Sequence, residues 1–247
     1  FISIHKEDRE TGAALPGVRF RVCDTAGTVV AEGCTDETGV FTTGKLDLGD
    51  YTFQEVATVQ GYLLNDIVYP ISLTNRRETV TISAANDPRK GTIRIFKRDA
   101  AGVTLANVTF VLEASKDSGA TWEAISTKPT GADGSLAFAD LPANDGTLYR
   151  ITETDTVPGK MLTGATIYQG PLPMVFSADQ ATDGKDYEVY GDTAYLYELS
   201  YTVCDSSIPE LPFTGSNGFL SIFAASMLLV CLGAFFMLKS KKTGVIQ

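Results

Sequence analysis

The sequence predicts an all-β protein made of two tandem β-sandwiches, followed by one C-terminal transmembrane helix. Three observations support this prediction. Apolar and polar residues alternate over short runs that are separated by Gly, Asp, Asn and Pro turns, which is the pattern of strands with one buried face. The chain repeats one sequence plan twice, and no segment before residue 215 has a helical stripe. An uncharged run then extends from 219 to 238.

The two copies of the plan divide the body into a first repeat, 1–88, and a second repeat, 89–207. The segment ISIHKEDRETGAALPGVRF (2–20) matches IRIFKRDAAGVTLANVTF (93–110) in its alternating Ile, its Lys and Asp, and its closing Val and Phe. GDYTFQEVATVQGY is answered in the same way by GTLYRITETDTVPGK. We therefore expect each repeat to form one immunoglobulin-like sandwich.

The C-terminal part is predicted to be a linker (208–217), a transmembrane helix (218–238) and a basic cytoplasmic tail (239–247). At about 1.5 Å per residue, a helix of this length reaches roughly 30 Å, the thickness of a bilayer core. The lysines that follow it agree with the positive-inside bias; they are Lys239, Lys241 and Lys242. A buried core helix is the alternative, but it would not normally precede a basic stop at the end of a chain.

The charge distribution places the body outside the cell. The formal net charge is −10, which argues against a nucleic-acid partner, and no acidic residue follows Glu210. The chain begins at Phe1 inside an alternating pattern, with no signal peptide. Since an extracellular body needs an export signal, we expect a further N-terminal part beyond this sequence.

Each repeat directs the same three polar side chains toward its own core. Strand alternation places a lysine in line with two isoleucines on the first strand, a glutamate in line with Tyr on a middle strand, and an Asn or Asp on the inner face of the last strand. The residues are Lys6, Glu55 and Asn86 in the first repeat, and Lys97, Glu153 and Asp205 in the second.

Recurrence of this trio suggests an intramolecular amide bond. Burying an isolated charge costs several kcal/mol. Desolvation lowers the pKa of a lysine and raises that of a glutamate, so the amine can attack the side-chain carbonyl while the acid transfers the proton. The alternative is that each residue sits at a strand end, where the lysine reaches solvent and the glutamate finds backbone donors. One isolated residue would favour that alternative, whereas recurrence in both repeats favours the bond.

The residues also resemble a known family. The order K-x-D, L, V/F, Y-x-apolar-x-E, G-Y is similar to the Cna B-type (SpaA-like, prealbumin-like) domains of Gram-positive collagen adhesins and pilins. The resemblance implies autocatalytic isopeptide bonds from Lys6 to Asn86 and from Lys97 to Asp205, with Glu55 and Glu153 as the catalytic acids. The second repeat departs from the pattern, because it is longer, lacks a Tyr after VPGK and ends in Asp rather than Asn.

LPFTG, followed by an apolar run and a basic tail, resembles the LPXTG cell-wall sorting signal that sortases recognise. The resemblance assigns Leu211, Pro212, Phe213, Thr214 and Gly215 to the motif, with cleavage between Thr214 and Gly215. It implies sortase as one partner and a peptidoglycan precursor or another pilin subunit as the next. The membrane would hold only the precursor, and the mature protein would be anchored in the cell wall.

Three functions remain open. The chain is a pilin subunit, a wall-anchored adhesin that binds host or extracellular-matrix ligands through a head in the further N-terminal part, or the stalk of a surface enzyme. The short gap between Asp205 and Leu211 favours the pilin, because an adhesin usually crosses the wall on a long spacer. Against a backbone role, VYPISL has Ile71 where a Tyr-Pro-Lys acceptor would have lysine.

No cofactor or metal is expected, and the chain itself is not predicted to be an enzyme. His5 is the only histidine and lies on the outward register, so zinc or Ser-His chemistry lacks its parts. Cys23 and Cys34 occur only in the first repeat, and in an extracellular body they are a candidate disulfide. Against this pairing, a hairpin turn at DTAG would not place them directly opposite.

Overall fold

The computed structural model describes residues 1–181 and 185–209. The predicted sorting motif, transmembrane helix and basic tail lie outside the described residues. Within the described part, no helix is long and apolar enough to cross a bilayer. Residues 1–206 form one compact unit.

The first repeat folds into two sheets, in which all neighbouring strands except β1 and β7 are antiparallel. Its strands are β1 (Ile2–Asp8), β2 (Arg19–Asp24), β3 (Val29–Cys34), β4 (Val40–Thr42), β5 (Gly49–Ala57), β6 (Val68–Leu73) and β7 (Val80–Asn86). One sheet has the order β4-β1-β7 and the other β3-β2-β5-β6. The first and last strands, β1 and β7, are parallel neighbours.

The second repeat uses the same plan. Its corresponding strands are β8 (Gly91–Asp99), β9 (Thr109–Ser115), β10 (Glu123–Pro129), β11 (Ser135–Leu141), β12 (Leu148–Asp155), β13 (Thr166–Pro171) and, at the end, β17 (Glu198–Asp205). The sheets are ordered β11-β8-β17 and β10-β9-β12-β13, and β8 and β17 are again parallel neighbours. The internal repeat is therefore present in the strand order.

An added three-stranded sheet accounts for much of the greater length of the second repeat. It has the order β14-β16-β15, built from β14 (Met174–Ser177), β15 (Tyr187–Tyr190) and β16 (Thr193–Leu196). A short 3₁₀ turn, Ala178–Gln180, follows β14. The all-β prediction is confirmed, because this turn is the only helical element in the part of the chain that the structure describes.

Each repeat has its own hydrophobic core between its two main sheets. Ile2, Ile4 and Phe53 belong to the first core, and Ile93 and Phe110 to the second. Every strand pairing among the described residues joins strands of the same repeat. On β1, Lys6 lies on the same buried face as Ile2 and Ile4. On β8, Lys97 lies on the same buried face as Ile93 and Ile95. Each lysine is therefore buried next to the core of its repeat.

Candidate functional site

The strand register places the lysine and the last-strand residue of each repeat at the same offset. On the parallel pair β1–β7, Lys6 is level with Ala84, two positions before Asn86. On β8–β17, Lys97 is level with Val203, again two positions before Asp205. Since alternate residues of a strand share a face, the side chains of each pair point into the same core and can meet diagonally.

The first trio is fully assembled and buried. Lys6 Nζ donates a hydrogen bond to Asn86 Oδ1 at 2.6 Å and lies 2.9 Å from Glu55 Oε2. The amide nitrogen of Asn86 donates to Glu55 Oε1 at 2.7 Å. Lys6 is 0% exposed, Glu55 3% and Asn86 1%. The inward orientation predicted from alternation is therefore confirmed for this trio, and the glutamate contacts both groups that would exchange a proton.

The second trio has the same arrangement. Lys97 Nζ contacts Asp205 Oδ1, and lies 2.7 Å from Glu153 Oε2. All three side chains are buried. Thr163 Oγ1 also donates to Glu153 Oε2 at 2.6 Å. Both lysines are fully buried, and both glutamates contact side chains. The alternative in which the lysine reaches solvent and the glutamate bonds to backbone donors is therefore wrong for both repeats.

The two sites differ at one carboxylate oxygen. In the first, the Asn86 amide supplies a donor to Glu55 Oε1. In the second, Asp205 has no amide, and Glu153 Oε1 is buried without a hydrogen-bond partner among the described residues. Glu55 Oε2 also makes no hydrogen bond, but it lies 2.9 Å from Lys6 Nζ, whereas Glu153 Oε1 has no ion-pair partner among the described residues.

Burial favours the neutral amine of Lys6. Burial lowers the pKa of Lys6 from its usual 10.5, and this effect outweighs the hydrogen bond and negative charge of Glu55, which act in the opposite direction. An aromatic ring covers each lysine: Lys6 Nζ lies 5.9 Å from the Phe20 ring centre, and Lys97 Nζ 6.0 Å from that of Phe110. Each lysine is therefore fully buried, beside a glutamate and an aromatic ring.

The structure adds two threonines that the sequence reasoning missed. Thr58 Oγ1 accepts a hydrogen bond from Asn86 Nδ2 at 2.8 Å, and Thr156 Oγ1 donates to Asp205 Oδ2 at 2.6 Å. Each threonine lies three residues after the glutamate of its trio, in the segments EVAT and ETDT. This shared Glu-x-x-Thr spacing is the sequence signal that could have identified them.

A second pair of corresponding residues explains a departure noted in the second repeat. Tyr62 lies seven residues after Glu55, and its hydroxyl donates to Asp8 Oδ2 at 2.8 Å. At the same spacing after Glu153, the second repeat has Lys160, whose Nζ donates to Asp99 Oδ2 at 2.9 Å. A lysine therefore replaces the missing tyrosine and preserves the contact with an aspartate next to the site.

The structure contradicts the candidate disulfide between Cys23 and Cys34. Cys23 and Cys34 are free, and the register of β2 and β3 pairs Cys23 with Val29 and Cys34 with Arg19. Four residue positions along the strands therefore separate the two cysteines, about 13 Å at the usual rise of a strand. A disulfide needs Cα atoms within about 7 Å, so the hairpin excludes this pairing.

Residues 1–88 match the family model of the SpaA prealbumin-like fold domain. Among solved structures, the Bacillus anthracis TIE protein is similar with a TM-score of 0.51 and 22% identity, over 83% of this chain and 34% of that chain. This chain thus spans about a third of that protein's length. The likeness shows the fold over most of the chain.

Two further solved structures resemble the chain more distantly. A streptococcal ancillary pilin has a TM-score of 0.36 and 18% identity, over 85% of this chain and 62% of that chain. A C-terminal fragment of the pilus adhesin SpaC from Lactobacillus rhamnosus GG has a TM-score of 0.39 and 15% identity, over 86% of this chain and 98% of that chain. A search of curated protein sequences finds no match to this chain.

Proposed function

We propose that this chain is a structural subunit of a bacterial surface fibre, most simply a pilin, whose two repeats are each closed by an autocatalytic isopeptide bond. The observation that carries the proposal is the buried lysine–glutamate–amide or carboxyl trio, which joins the first strand to the last in both repeats. The SpaA-type match of residues 1–88 supports the same class of protein.

In the first repeat the reaction replaces one amide with another. The neutral Nζ of Lys6 attacks Cγ of Asn86, the Nζ–Cγ bond forms and the Cγ–Nδ2 bond breaks. Glu55 accepts a proton from the attacking amine and passes a proton to Nδ2, so ammonia leaves and the glutamate returns to its initial state. The ion pair of Lys6 with one oxygen of Glu55 and the hydrogen bond from Asn86 to the other suit this transfer.

In the second repeat the leaving group is water. Lys97 Nζ attacks Cγ of Asp205 in its acid form, and one carboxyl oxygen of Asp205 departs with a proton from the amine that Glu153 transfers. The unpaired Oε1 of Glu153 is the atom available to carry that proton. Each reaction occurs once per molecule, and folding drives it by holding the reacting atoms together.

The bonds suit a protein under tension. The first would close a loop of 80 residues, and the chain-entropy estimate for such a crosslink is roughly 4.5 kcal/mol. The second would span 108 residues. Because each bond would join the strands at which its repeat begins and ends, a pulling force would pass through it and leave the sandwich unloaded.

The protein would also be attached covalently at its C-terminal sorting motif. Sortase would cleave between Thr214 and Gly215, and the Thr214 carboxyl would pass to an amine of a peptidoglycan precursor or of another pilin subunit. The predicted membrane helix, 218–238, would hold the precursor until cleavage. These residues lie outside the described part, and the LPFTG motif with its apolar run and lysines supports this step.

Intact-mass measurement of residues 1–207 tests the bonds. This segment contains the compact unit and both cores. Its mass should be lower than the sequence mass by one ammonia plus one water. Glu55→Ala should restore the ammonia and Glu153→Ala the water, whereas Glu113→Ala, which removes a glutamate paired with Arg150 outside both trios, should restore neither. A full mass in the unaltered protein would refute the proposal.

A separate experiment distinguishes the pilin from an adhesin. Immunoblots of cell-wall extracts should show a ladder of high-mass species if the chain is polymerised by sortase. Thr214→Ala should abolish the ladder. A single wall-linked band would instead favour a monomeric adhesin.

A further inference from the structure

A single loop of the first repeat contacts both its proposed reaction site and the second repeat. This loop, residues 58–62, follows β5 and is called the 58–62 loop below. At one end Thr58 Oγ1 accepts a hydrogen bond from the Asn86 amide, which is the proposed leaving group, at 2.8 Å. At the other end Tyr62 bonds Asp8, two residues after Lys6. The loop therefore supplies one hydrogen bond to Asn86 and one to an aspartate close to Lys6.

The middle of the loop is bonded to the second repeat. Gln60 Nε2 donates to Asn144 Oδ1 at 2.8 Å and to the Tyr197 hydroxyl at 2.9 Å. The backbone N–H of Gly61 donates to Glu188 Oε2 at 3.3 Å. These partners come from the β11–β12 connection, the residue after β16, and the added strand β15.

The added sheet also reaches the end of the loop that lies at the site. The hydroxyl of Tyr190 on β15 donates to the backbone carbonyl of Thr58 at 3.1 Å. Thr58 is thus held on its main chain by the second repeat while its side chain contacts Asn86.

The centre of this contact is a polar network around the buried side chain of Tyr197. Tyr197 is 3% exposed, its hydroxyl donates to Glu188 at 2.8 Å, and it accepts from Gln60 and Asn144. The guanidinium of Arg89 lies 5.3 Å from the centre of its ring. Burial raises the pKa of the Tyr197 hydroxyl, so it keeps its proton for Glu188. The Tyr197 hydroxyl is thus bonded to three side chains, which favours one arrangement of the contact.

Gly61 is fitted to this contact. Its φ is +87°, and a Cβ added there would lie 2.7 Å from Asn144 Nδ2. Gly159, at the corresponding place in the second repeat, has φ +82° but no atom within 4 Å of an added Cβ. Both positions need the left-handed conformation that glycine adopts easily. Only at Gly61 would an added Cβ meet the second repeat, where it would displace the Asn144 side chain that bonds Gln60.

We propose that the second repeat acts as a positioning element for the crosslinking site of the first, by holding the 58–62 loop so that Thr58 orients the leaving amide of Asn86. This inference rests on the isopeptide bond proposed above. Held at Thr58 Oγ1 and Glu55 Oε1, the Asn86 amide presents its carbonyl carbon to Lys6 as the Nζ–Cγ bond forms and ammonia departs. The first bond therefore forms at its full rate only after the second repeat has folded.

The test follows both bonds in the same molecule. Residues 1–207, recovered unfolded and uncrosslinked from inclusion bodies, are diluted into native buffer and quenched with acid at intervals. Peptide mapping by mass spectrometry then gives a rate for each crosslink. Tyr197→Phe should slow the Lys6–Asn86 bond by roughly three- to tenfold, the range for loss of one hydrogen bond, and leave the Lys97–Asp205 bond unchanged.

Matched variants separate positioning from general damage. Tyr195→Phe removes a hydroxyl that has no hydrogen-bond partner among the described residues and should change neither rate. Gly61→Ala should slow the first bond more than Gly159→Ala does, because only Gly61 lacks room for a methyl group. Thr58→Val should slow the first bond, whereas Thr58→Ser keeps the hydroxyl and should restore the rate.

The outcomes are distinguishable. Slowing confined to the first bond supports the proposal. Unchanged rates in Tyr197→Phe and Gly61→Ala overturn it, as does equal slowing of both bonds, which indicates a general folding defect. If the unaltered protein forms no bond at all, the proposed function fails rather than the coupling alone.

Discussion

Lys6 and Asn86 lie 80 residues apart in the chain, yet their side chains meet at 2.6 Å across two parallel strands. The parallel pairing of β1 and β7 makes this contact possible, because it places Lys6 level with Ala84, two positions before Asn86 on the same face of β7. The same register recurs between Lys97 and Asp205. The protein thus has two copies of one site that differ chiefly in the group the lysine would attack, and this difference can be tested directly.

Exchanging the two acceptor residues should exchange the leaving groups. Asn86→Asp should make the first repeat lose water instead of ammonia, and Asp205→Asn should make the second lose ammonia instead of water. The new amide of Asp205→Asn can also donate to the unpaired Oε1 of Glu153, so this bond should form at least as fast as before. Intact mass and peptide mapping of residues 1–207 measure both effects. Asp205→Asn protein without its crosslink would contradict the proposed equivalence of the sites.

The rate of the first crosslink should depend on pH through Lys6. Burial lowers the pKa of this amine, so the neutral, nucleophilic form is populated at a lower pH than in an exposed lysine. The rate of Lys6–Asn86 bond formation should rise with pH and reach its plateau below 10.5, the usual lysine value. Refolding into a series of buffers, with acid quenching and mass measurement, gives this profile. A rate that rises only above 10.5 would show that the amine is not depressed in the reacting state.

The sequence predicted the inward side chains because alternation on a strand depends only on local pattern. Lys6 and Lys97 follow two isoleucines on one face, and burial confirms that reading. Register between distant strands has no such local signature, so the diagonal approach of Lys6 to Asn86 could be expected only from the repeat and the resemblance.

Other features could not be read from the pattern. The contact of Gln60 with Tyr197 and that of Thr58 with Tyr190 each join residues more than 130 positions apart. Tyr190 lies on the added sheet, which has no counterpart in the first repeat. Likewise, Cys23 and Cys34 seemed paired because they occur together, whereas the hairpin register separates them. Ile71 is buried on β6, as its apolar character requires.

The loop between β9 and β10 should open in acid, and the single tryptophan can report it. Hydrogen bonds from the side chain and backbone of Thr121, and from Ser115, lower the pKa of Asp117 to about 2. Because its folded pKa lies below the unfolded value of 3.8, its contribution to stability is present above pH 3.8 and is lost as the pH falls toward about 2. Trp122 closes this loop over Arg150, 4.5 Å from the guanidinium.

Thr121→Val should therefore move the acid change in Trp122 fluorescence to higher pH, because it removes the side-chain hydrogen bond to Asp117. Thr38→Val is a matched control, since Thr38 makes the same kind of bond to Asp36 in a turn of the first repeat. It should leave the tryptophan titration unchanged. An identical titration in Thr121→Val and the unaltered protein would mean that Asp117 does not hold the loop closed.

Pulling on single molecules should distinguish crosslinked from uncrosslinked repeats by length. With both bonds formed, force entering at residue 1 and leaving after Asp205 passes from Lys6 to Asn86 and from Lys97 to Asp205, so neither sandwich extends. Glu55→Ala should leave the first repeat open, and its unfolding should release the 80-residue span, about 260 to 290 Å of chain. Glu153→Ala should release the 108-residue span, about 360 to 390 Å. Glu113→Ala should show neither step, and long steps in unaltered protein whose mass confirms both bonds would mean that force does not follow this path.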